Sequence, residues 1–382
     1  MDFSWSAEED RLRAELRAYI EKTVEPGWSH FGRDVPTPEA VQQVKDFCHG
    51  LAELGLLTPA WPAEYGGRDA SFWEQTLISE EIWAVGEARG PQYMNVNWIG
   101  PAIMRLGTEE QKDLHLGAMA NGTSLWCQGF SEPDAGSDLS SLRTAAVLDG
   151  DEYVVNGQKV WTSYAHAADY CFLLVRTANT PKPRDGISVL LVPMDLPGIE
   201  VREIPSLDYP HLVHEVFFND VRVPVSCRLG EENAGWTIMQ TLLANERVNN
   251  ARHEWVDRSL DRIFGEAAAA GLDTTSPQFE ESMGRVAMRT EASRVLNYVA
   301  VQSASDGSSS YSNLASVYRV ALALMEIGLS HVFLDVLGAE ALLETSRGDY
   351  QLASGLVASI GGGSLEMALN SIAWYQLGLP KG

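Results

Sequence analysis

Basic side chains are scarce in this sequence: 28 Lys and Arg face 52 Asp and Glu, for a formal net charge of −24. A surface of that sign repels phosphate backbones and anionic lipid, which argues against nucleic acid and the membrane surface as partners. It leaves room for a small anionic ligand held by a few local cations. Cysteine is equally sparse. Cys48, Cys127, Cys171 and Cys227 stand far apart without a CxxC pair. Neither a zinc ribbon nor a disulfide framework is expected, and free thiols in a reducing cytoplasm fit. No apolar run is expected to reach the length of a membrane span. The opening MDFSWSAEEDRLRAELRAYI carries neither a signal-peptide core nor an Arg- and Ser-rich transit pattern. Internal repeats and low-complexity tracts are missing, and SASDGSSSYS (303–312) reads as a connector between helices. Among eight histidines, His211 and His214 have a spacing that suits a metal, but no matching cluster accompanies them and no metal is expected.

What is present divides into three regions. At 382 residues, 45% of them hydrophobic, the chain suffices for two or three domains. The first region, 1–122, reads as helices. Ser6 and Glu9 form a capping box, and Leu12, Leu16, Tyr19 and Ile20 recur on one face. A second helix opens at Thr37-Pro38, carries Val41, Val44, Phe47, Leu51 and Leu54, and stops at Gly55. From 123 to 229 the pattern is β: the runs EYVV, YCFLLV, ISVLLVPM and EVFFNDVRVP suit a small barrel or sandwich. Asp149-Gly150 and Asn156-Gly157 are read as hairpin turns. From 230 to 382 helical periodicity returns. WTIMQTLLANERVNNARHEWVDRSL reads as one long helix, with further helices near 278–304, 311–337 and 364–377, together a four-helix bundle. The fold class is therefore α+β.

Three stretches invite chemistry. SIGGGSLEMALN (359–370) sets three glycines between apolar segments. A Walker loop needs a lysine that does not follow, and a dinucleotide fingerprint needs glycine where Glu366 stands. Locally it is a helix stop and restart, with glycine in the left-handed turn, Ser364 as cap and Glu366 in the first turn. GFSEPDAGSD (129–138) is a loop whose backbone N–H groups and Ser131 and Ser137 hydroxyls can receive a phosphate or a heteroaromatic edge. In VNGQKVWTS (155–163), Trp161 either stacks on a flat cofactor or fills a core, and both readings stay open here.

With PAEYGG (62–67), LGTEEQK (106–112), FNDVRVP (218–224) and NERV (245–248), these stretches resemble the acyl-CoA dehydrogenase family in the right order along nearly the whole chain. The resemblance implies a helical N-terminal domain, a middle β-domain and a C-terminal helical bundle, with FAD lying between the last two. It implies that Gln128, Phe130 and Ser131 meet the polar edge of the flavin, and that Gly136 and Ser137 meet pyrophosphate or CoA groups. Trp161 would stack near the isoalloxazine, with Thr162 and Ser163 beside it and Ser163 near N5. Gly362, Ser364 and Glu366 would complete the cofactor side. The chemistry implied is α,β-dehydrogenation of an acyl-CoA: a carboxylate takes the α-proton and the β-hydride goes to flavin N5. Electron-transfer flavoprotein is the expected acceptor.

Many relatives place the base just before a Gly-Thr/Ser pair. Here Gly363-Ser364 match the pair, and the base position is Gly362, which can offer only a backbone N–H to the thioester oxygen. A second subset places its base on the first long helix of the bundle, immediately before an arginine, and Glu246-Arg247 match it. Met239, Leu242, Leu243 and Glu246 also follow i, i+3, i+4, i+7, which sets a carboxylate on an apolar stripe. Glu246 is the expected base, with Arg247 beside it. Arg247, Ser137 and Gly362 are the expected substrate contacts, and Tyr93, Asn97, Trp98 and Tyr209 are candidates for the pocket wall.

Two departures point to a partner. Homotetrameric relatives carry Arg-x-x-Phe-Gly and Gly-Gly-x-Gly segments for the ADP half of a neighbour's FAD. The corresponding stretches here read AAAAGLDTT and VLGAEAL. The pattern resembles large subunits of bacterial heterotetrameric acyl-CoA dehydrogenases, several of which act on steroid side-chain CoA esters. A homotetramer for short or branched acyl-CoA, an oxidase, and a non-catalytic subunit are the alternatives.

Overall fold

A computed structural model describes residues 4–24, 37–206, 211–246, 250–308, 311–338, 355, 357–361 and 363–381. The chain opens with α1 (Ala7–Thr23) and α2 (Pro38–Glu53), followed by α3 (Phe72–Ala84) and a short α4 (Gln92–Met94). A π-helical turn (Asn95–Ile99) leads into α5 (Gly100–Leu106), and α6 (Glu109–Ala120) follows. Capping boxes at Ser6/Glu9, Ser71/Glu74 and Thr108/Gln111 start α1, α3 and α6, so these boundaries are set by local side-chain chemistry. Gly55 ends the α2 turn in the left-handed conformation.

Eight strands follow: β1 (Trp126–Gly129), β2 (Ala145–Asp149), β3 (Glu152–Ser163), β4 (Tyr170–Arg176), β5 (Ile187–Pro193), β6 (Ile199–Glu203), β7 (Val213–Pro224) and β8 (Arg228–Leu229). Their order is β6-β7-β3-β2-β4-β5-β8, with β1 also beside β4. β4 and β5 are buried on both faces, which is why YCFLLV and ISVLLV are continuous apolar runs. Cys171, Leu173 and Val175 join Tyr153, Val155, Val216 and Phe218 in one core. Phe172, Leu174, Val189 and Leu191 join Leu116, Met119, Ile238 and Met239 in another. β1 pairs with Tyr170–Leu173, and β2 rejoins the same strand only at Ala145↔Arg176. Residues 130–144 thus leave and return along one edge of β4.

The Asn156-Gly157 turn is corrected. Both residues lie inside β3, where the register against β7 shifts between Val155 and Gly157. A Cβ at Gly157 would fall 2.6 Å from the Thr144 hydroxyl, so the glycine serves close approach, while Asp149-Gly150 does turn the β2–β3 hairpin.

The helices that follow are α7 (Gly235–Glu246), α8 (Arg252–Ala269), α9 (Pro277–Ser305), α10 (Tyr311–Leu337) and α11 (Leu365–Ser371). The single long helix is corrected to α7 and α8. Ala251 leaves helical geometry at φ −80°, ψ 43°, and the Asn250 carbonyl accepts the Tyr318 hydroxyl at 2.6 Å instead of a helical N–H. The expectation about apolar runs also changes, because Asn313–Val336 is long and apolar enough to span a membrane by length and composition. It packs on α8, α9 and α11 as a core helix.

The chain divides into two compact units. One gathers α1, α3 and the helices from α8 onward, and the other gathers α2, α4–α7 and every described strand. In the all-helical unit α3 packs on α1, α8 and α9, so the bundle borrows helices from the chain's start. Its centre is polar. Buried Glu80 accepts the Tyr298 hydroxyl at 2.7 Å and Arg13 at 3.1 Å, and lies 3.4 Å from His253 Nε2. Arg294 approaches Glu254 at 3.1 Å.

Burial alone would raise the Glu80 carboxyl; His253, Tyr298 and Arg13 outweigh it and hold the pKa below the ordinary value. Its folded pKa is thus depressed. The stability it contributes is present above the ordinary carboxylate value and lost as pH falls through the depressed one. Glu80→Leu, which takes the buried carboxylate away from Arg13, Tyr298 and His253 while Arg13 keeps Glu81 at 2.6 Å, should lower unfolding stability by about 3 kcal/mol. Urea titration at pH 7 checks this, and a loss below about 1 kcal/mol would remove the network's structural role.

Candidate active site

In the strand-bearing unit the loop 130–144 and the end of β3 meet. At the start of the loop Gly129 lets β1 pack closely on β4: a Cβ there would lie 2.6 Å from Leu173 Cδ1 and 2.9 Å from Cys171 Sγ. The Val160 N–H donates to the Ser131 carbonyl at 2.9 Å, and Lys159 Nζ to the Phe130 carbonyl at 3.1 Å. Lys159, 0% exposed, also pairs with Glu132 at 2.7 Å. Glu132 accepts the backbone N–H groups of Arg143 at 2.6 Å and Thr144 at 2.8 Å. Burial pulls the Lys159 ammonium down to about 8 despite the attraction of Glu132. The Glu132 carboxyl, although burial pushes it up, is held below its ordinary range by Lys159, Thr144 and Arg143.

Beyond Lys159 the β3–β7 register slips a second time, and Trp161 sits in the left-handed region at φ 58°. For a bulky residue this conformation is strained, and such strain gathers at functional positions. The indole is 62% exposed, which excludes the core reading of Trp161. Thr162 turns the other way. Its buried hydroxyl finds no hydrogen-bond partner among the described residues. Ser163 is half-buried, as are Gln128, Phe130 and Ser131, while Gly136 and Ser137 are exposed. An open aromatic face, an unpartnered buried hydroxyl and an exposed loop of small polar residues together fit a flat, phosphorylated cofactor.

The remaining predicted residues lie elsewhere. Ser364 and Glu366 belong to the all-helical unit, where the Ser364 hydroxyl accepts the Met367 N–H at 3.2 Å as the N-cap of α11 and Glu366 is exposed in the first turn. Gly363 takes φ 95° before them. Gly362, Arg247 and Tyr209 lie outside the described residues. Glu246 is the last residue of α7, and its side chain, with those of Leu242 and Leu243, also lies outside them; Met239 is buried. Trp98 is buried edge-on to Tyr93, with centroids 5.1 Å apart, and Asn97 donates to the Tyr93 carbonyl at 2.9 Å.

His211 and His214 do not converge. His211 Nδ1 meets Glu203 at 2.8 Å, whereas buried His214 faces His166, Nε2 to Nδ1 at 3.1 Å. These two, with His115, Asp169, Tyr170 and Glu203, line a cavity of about 880 Å³ that none of the predicted cofactor residues borders. Burial pushes His115 and His166 down to about 4, so both are neutral at pH 7.

Lys159, Glu132 and Arg319 were not anticipated as working side chains. Arg319, on α10, donates to the carbonyls of Ala358 and Gly361 at 2.7 Å each and of Gly363 at 3.0 Å. Gly361 and Gly363 are thus held by a guanidinium 42 and 44 residues away in sequence. No sequence pattern announces these contacts, although Lys159 and Glu132 both lie inside the motif stretches.

Comparison with known proteins identifies the family. Family models for the acyl-CoA dehydrogenase N-terminal, middle and C-terminal domains match residues 6–123, 127–221 and 233–375. The chain belongs to the acyl-CoA dehydrogenase family. The α+β fold expected from the sequence is this family's, and its members are FAD-dependent oxidoreductases. Acyl-CoA dehydrogenase FadE26 of Mycobacterium tuberculosis is 32% identical over 100% of this chain and 99% of its own length. Among solved structures, a chain of the Tcur3481-Tcur3483 steroid acyl-CoA dehydrogenase is 31% identical with a TM-score of 0.88. A chain of the ChsE4-ChsE5 complex from Mycobacterium tuberculosis is 33% identical with a TM-score of 0.86. Both alignments cover 100% of each chain.

A core tryptophan replaced by a small residue costs about 3–5 kcal/mol. Trp161→Gly removes an exposed ring and relieves a left-handed backbone, so the apoprotein's stability should change by less than about 1 kcal/mol. Thermal melting of the apoprotein measures the difference.

Proposed function

We propose that this chain dehydrogenates a bulky, steroid side-chain-like acyl-CoA between its α and β carbons, as one subunit of a heterotetramer with a homologous partner. The observation that carries the activity is the exposed, left-handed Trp161 beside the 130–137 loop. Similarity to the Tcur3481-Tcur3483 steroid acyl-CoA dehydrogenase supports the substrate class, and the two-component relatives support the partner.

FAD, when bound, supplies the two-electron acceptor for the β-hydride. Gln128, Phe130, Ser131, Gly136 and Ser137 would hold its polar and phosphate groups. Trp161, Thr162 and Ser163 would line the ring, and Gly362, Ser364 and Glu366 are proposed as further cofactor contacts. Glu246 takes the α-proton, while the Gly362 N–H polarises the thioester carbonyl and stabilises the charge that develops on its oxygen. Arg247 sits beside the base and with Ser137 contacts the substrate. A base on α7 accounts for a glycine at the position where many relatives keep a glutamate. Electron-transfer flavoprotein is the proposed acceptor and the cytoplasm the proposed compartment.

Two measurements test this. Glu246→Gln, in a complex that keeps its flavin, should slow substrate-driven bleaching by at least about 10³-fold, the upper part of the range for general-base catalysis. Unchanged bleaching would move the base elsewhere. Expressed alone, the chain should emerge from size exclusion colourless or poorly assembled, and co-expression with a homologous subunit should restore the yellow complex. A fully yellow homotetramer would end the partner proposal.

A further inference from the structure

We propose that the buried Lys159–Glu132 ion pair positions the flavin-facing loop, locking residues 130–138 into register with the strand that bears Trp161. This deepens the proposed dehydrogenase function and rests on it.

Lysine is almost never fully buried unless it is paired, and burying two ions is a poor route to stability when apolar side chains of similar volume would pack instead. The pair therefore asks for a second explanation, and its hydrogen bonds supply one. Lys159 reaches the loop where it departs, donating to the Phe130 carbonyl at 3.1 Å and to Glu132 at 2.7 Å. Glu132 reaches the loop where it returns, accepting from Arg143 at 2.6 Å and Thr144 at 2.8 Å. One ammonium and one carboxylate thus close the excursion 130–144 at both ends. Between them, reciprocal bonds join Glu132 and Ala135, N to O at 2.9 and 3.0 Å, and tighten the turn that leaves Gly136 and Ser137 exposed. Arg176 braces the far side through the carbonyls of Ser140 at 2.7 Å and Leu142 at 3.0 Å.

The strand end is tied to the same point. Val160, next to Lys159, donates to the Ser131 carbonyl at 2.9 Å, and Trp161 follows in its left-handed bulge. A shift of the loop therefore moves Ser131 and the backbone carrying Trp161 together. Lys159 and Glu132 are positioning residues: they set the groups that meet the cofactor without meeting it.

The test separates positioning from stability. Lys159→Met, Glu132→Gln and the double variant Lys159→Met/Glu132→Leu are compared with wild type, each with its partner subunit if one is required. The readouts are the FAD dissociation constant of the apoprotein, the visible flavin spectrum, the thermal midpoint and amide hydrogen exchange over 130–144. Lys159→Met should weaken FAD binding at least tenfold and speed exchange across the loop. The double variant strands no buried charge but leaves the Arg143 and Thr144 N–H groups without their carboxylate, so its melting should recover only part of the loss while FAD affinity stays at least tenfold down. A double variant with wild-type affinity, spectrum and exchange would reduce the pair to a structural role and overturn the proposal. Should Lys159→Met fail to fold, Glu132→Gln, which keeps the side chain's shape, answers the same question. If wild type takes up no FAD in any assembly, the functional reading falls. Loop exchange in wild type against the double variant then decides the positioning claim by itself: equal rates overturn it, and faster exchange in the variant upholds it.

Discussion

β4 is buried on both of its faces, and much of the strand-bearing unit follows from that constraint. A strand with two apolar faces cannot end a sheet at solvent, so both its edges must be occupied. β5 takes one edge along its full length. The other is shared, first by β1 and then by β2. The chain between those two strands has no place in the ladder and must loop outward, and that outward loop holds SEPDAGSD. An exposed loop of small polar residues is the by-product of a packing requirement on the strand beside it.

Loops that face a ligand need stiffness without a core of their own. In this chain the recurrent answer is a cation that gathers backbone carbonyls. Lys159 holds the Phe130 carbonyl at the departure of the 130–144 excursion, Arg176 gathers those of Ser140 and Leu142 on its return, and Arg319 those of Ala358, Gly361 and Gly363. Carbonyls at helix ends and in irregular turns lack N–H partners, and a long cationic side chain reaches several of them from a rigid element. With only 28 Lys and Arg in the chain, three are used in this way.

Legibility in the sequence tracked the range of the interactions involved. The Ser6/Glu9 capping box and the left-handed glycine before Ser364 could be read because cause and effect lie within four residues. The double burial of β4 and β5 could be read from unbroken apolar runs. Asn156-Gly157 misled because a turn dipeptide is also what a crowded bulge needs, and the crowding partner, Thr144, is distant in sequence. The break at Asn250 depends on a hydroxyl from Tyr318. Lys159 stood in plain view inside a motif, but a lysine on a strand reads as solvated until a carboxylate 27 residues away is seen beside it. The left-handed backbone of Trp161 had no signal at all, because residue type rarely announces strain at a non-glycine.

The membership of the all-helical unit also sets a schedule. α1 packs on α3, and α3 on α8 and α9, yet roughly 230 residues separate the end of α1 from the start of α8, and at about 5–20 residues per second the gap takes the ribosome roughly ten to forty-five seconds. For that interval Arg13 and Glu80 await His253 and Tyr298, and the apolar stripe of Leu16 and Ile20 has no finished bundle to enter. The strand-bearing unit, complete by residue 246, can mature first. The growing chain therefore carries α1 and α3 without the helices that complete their packing until α8 and α9 have been made.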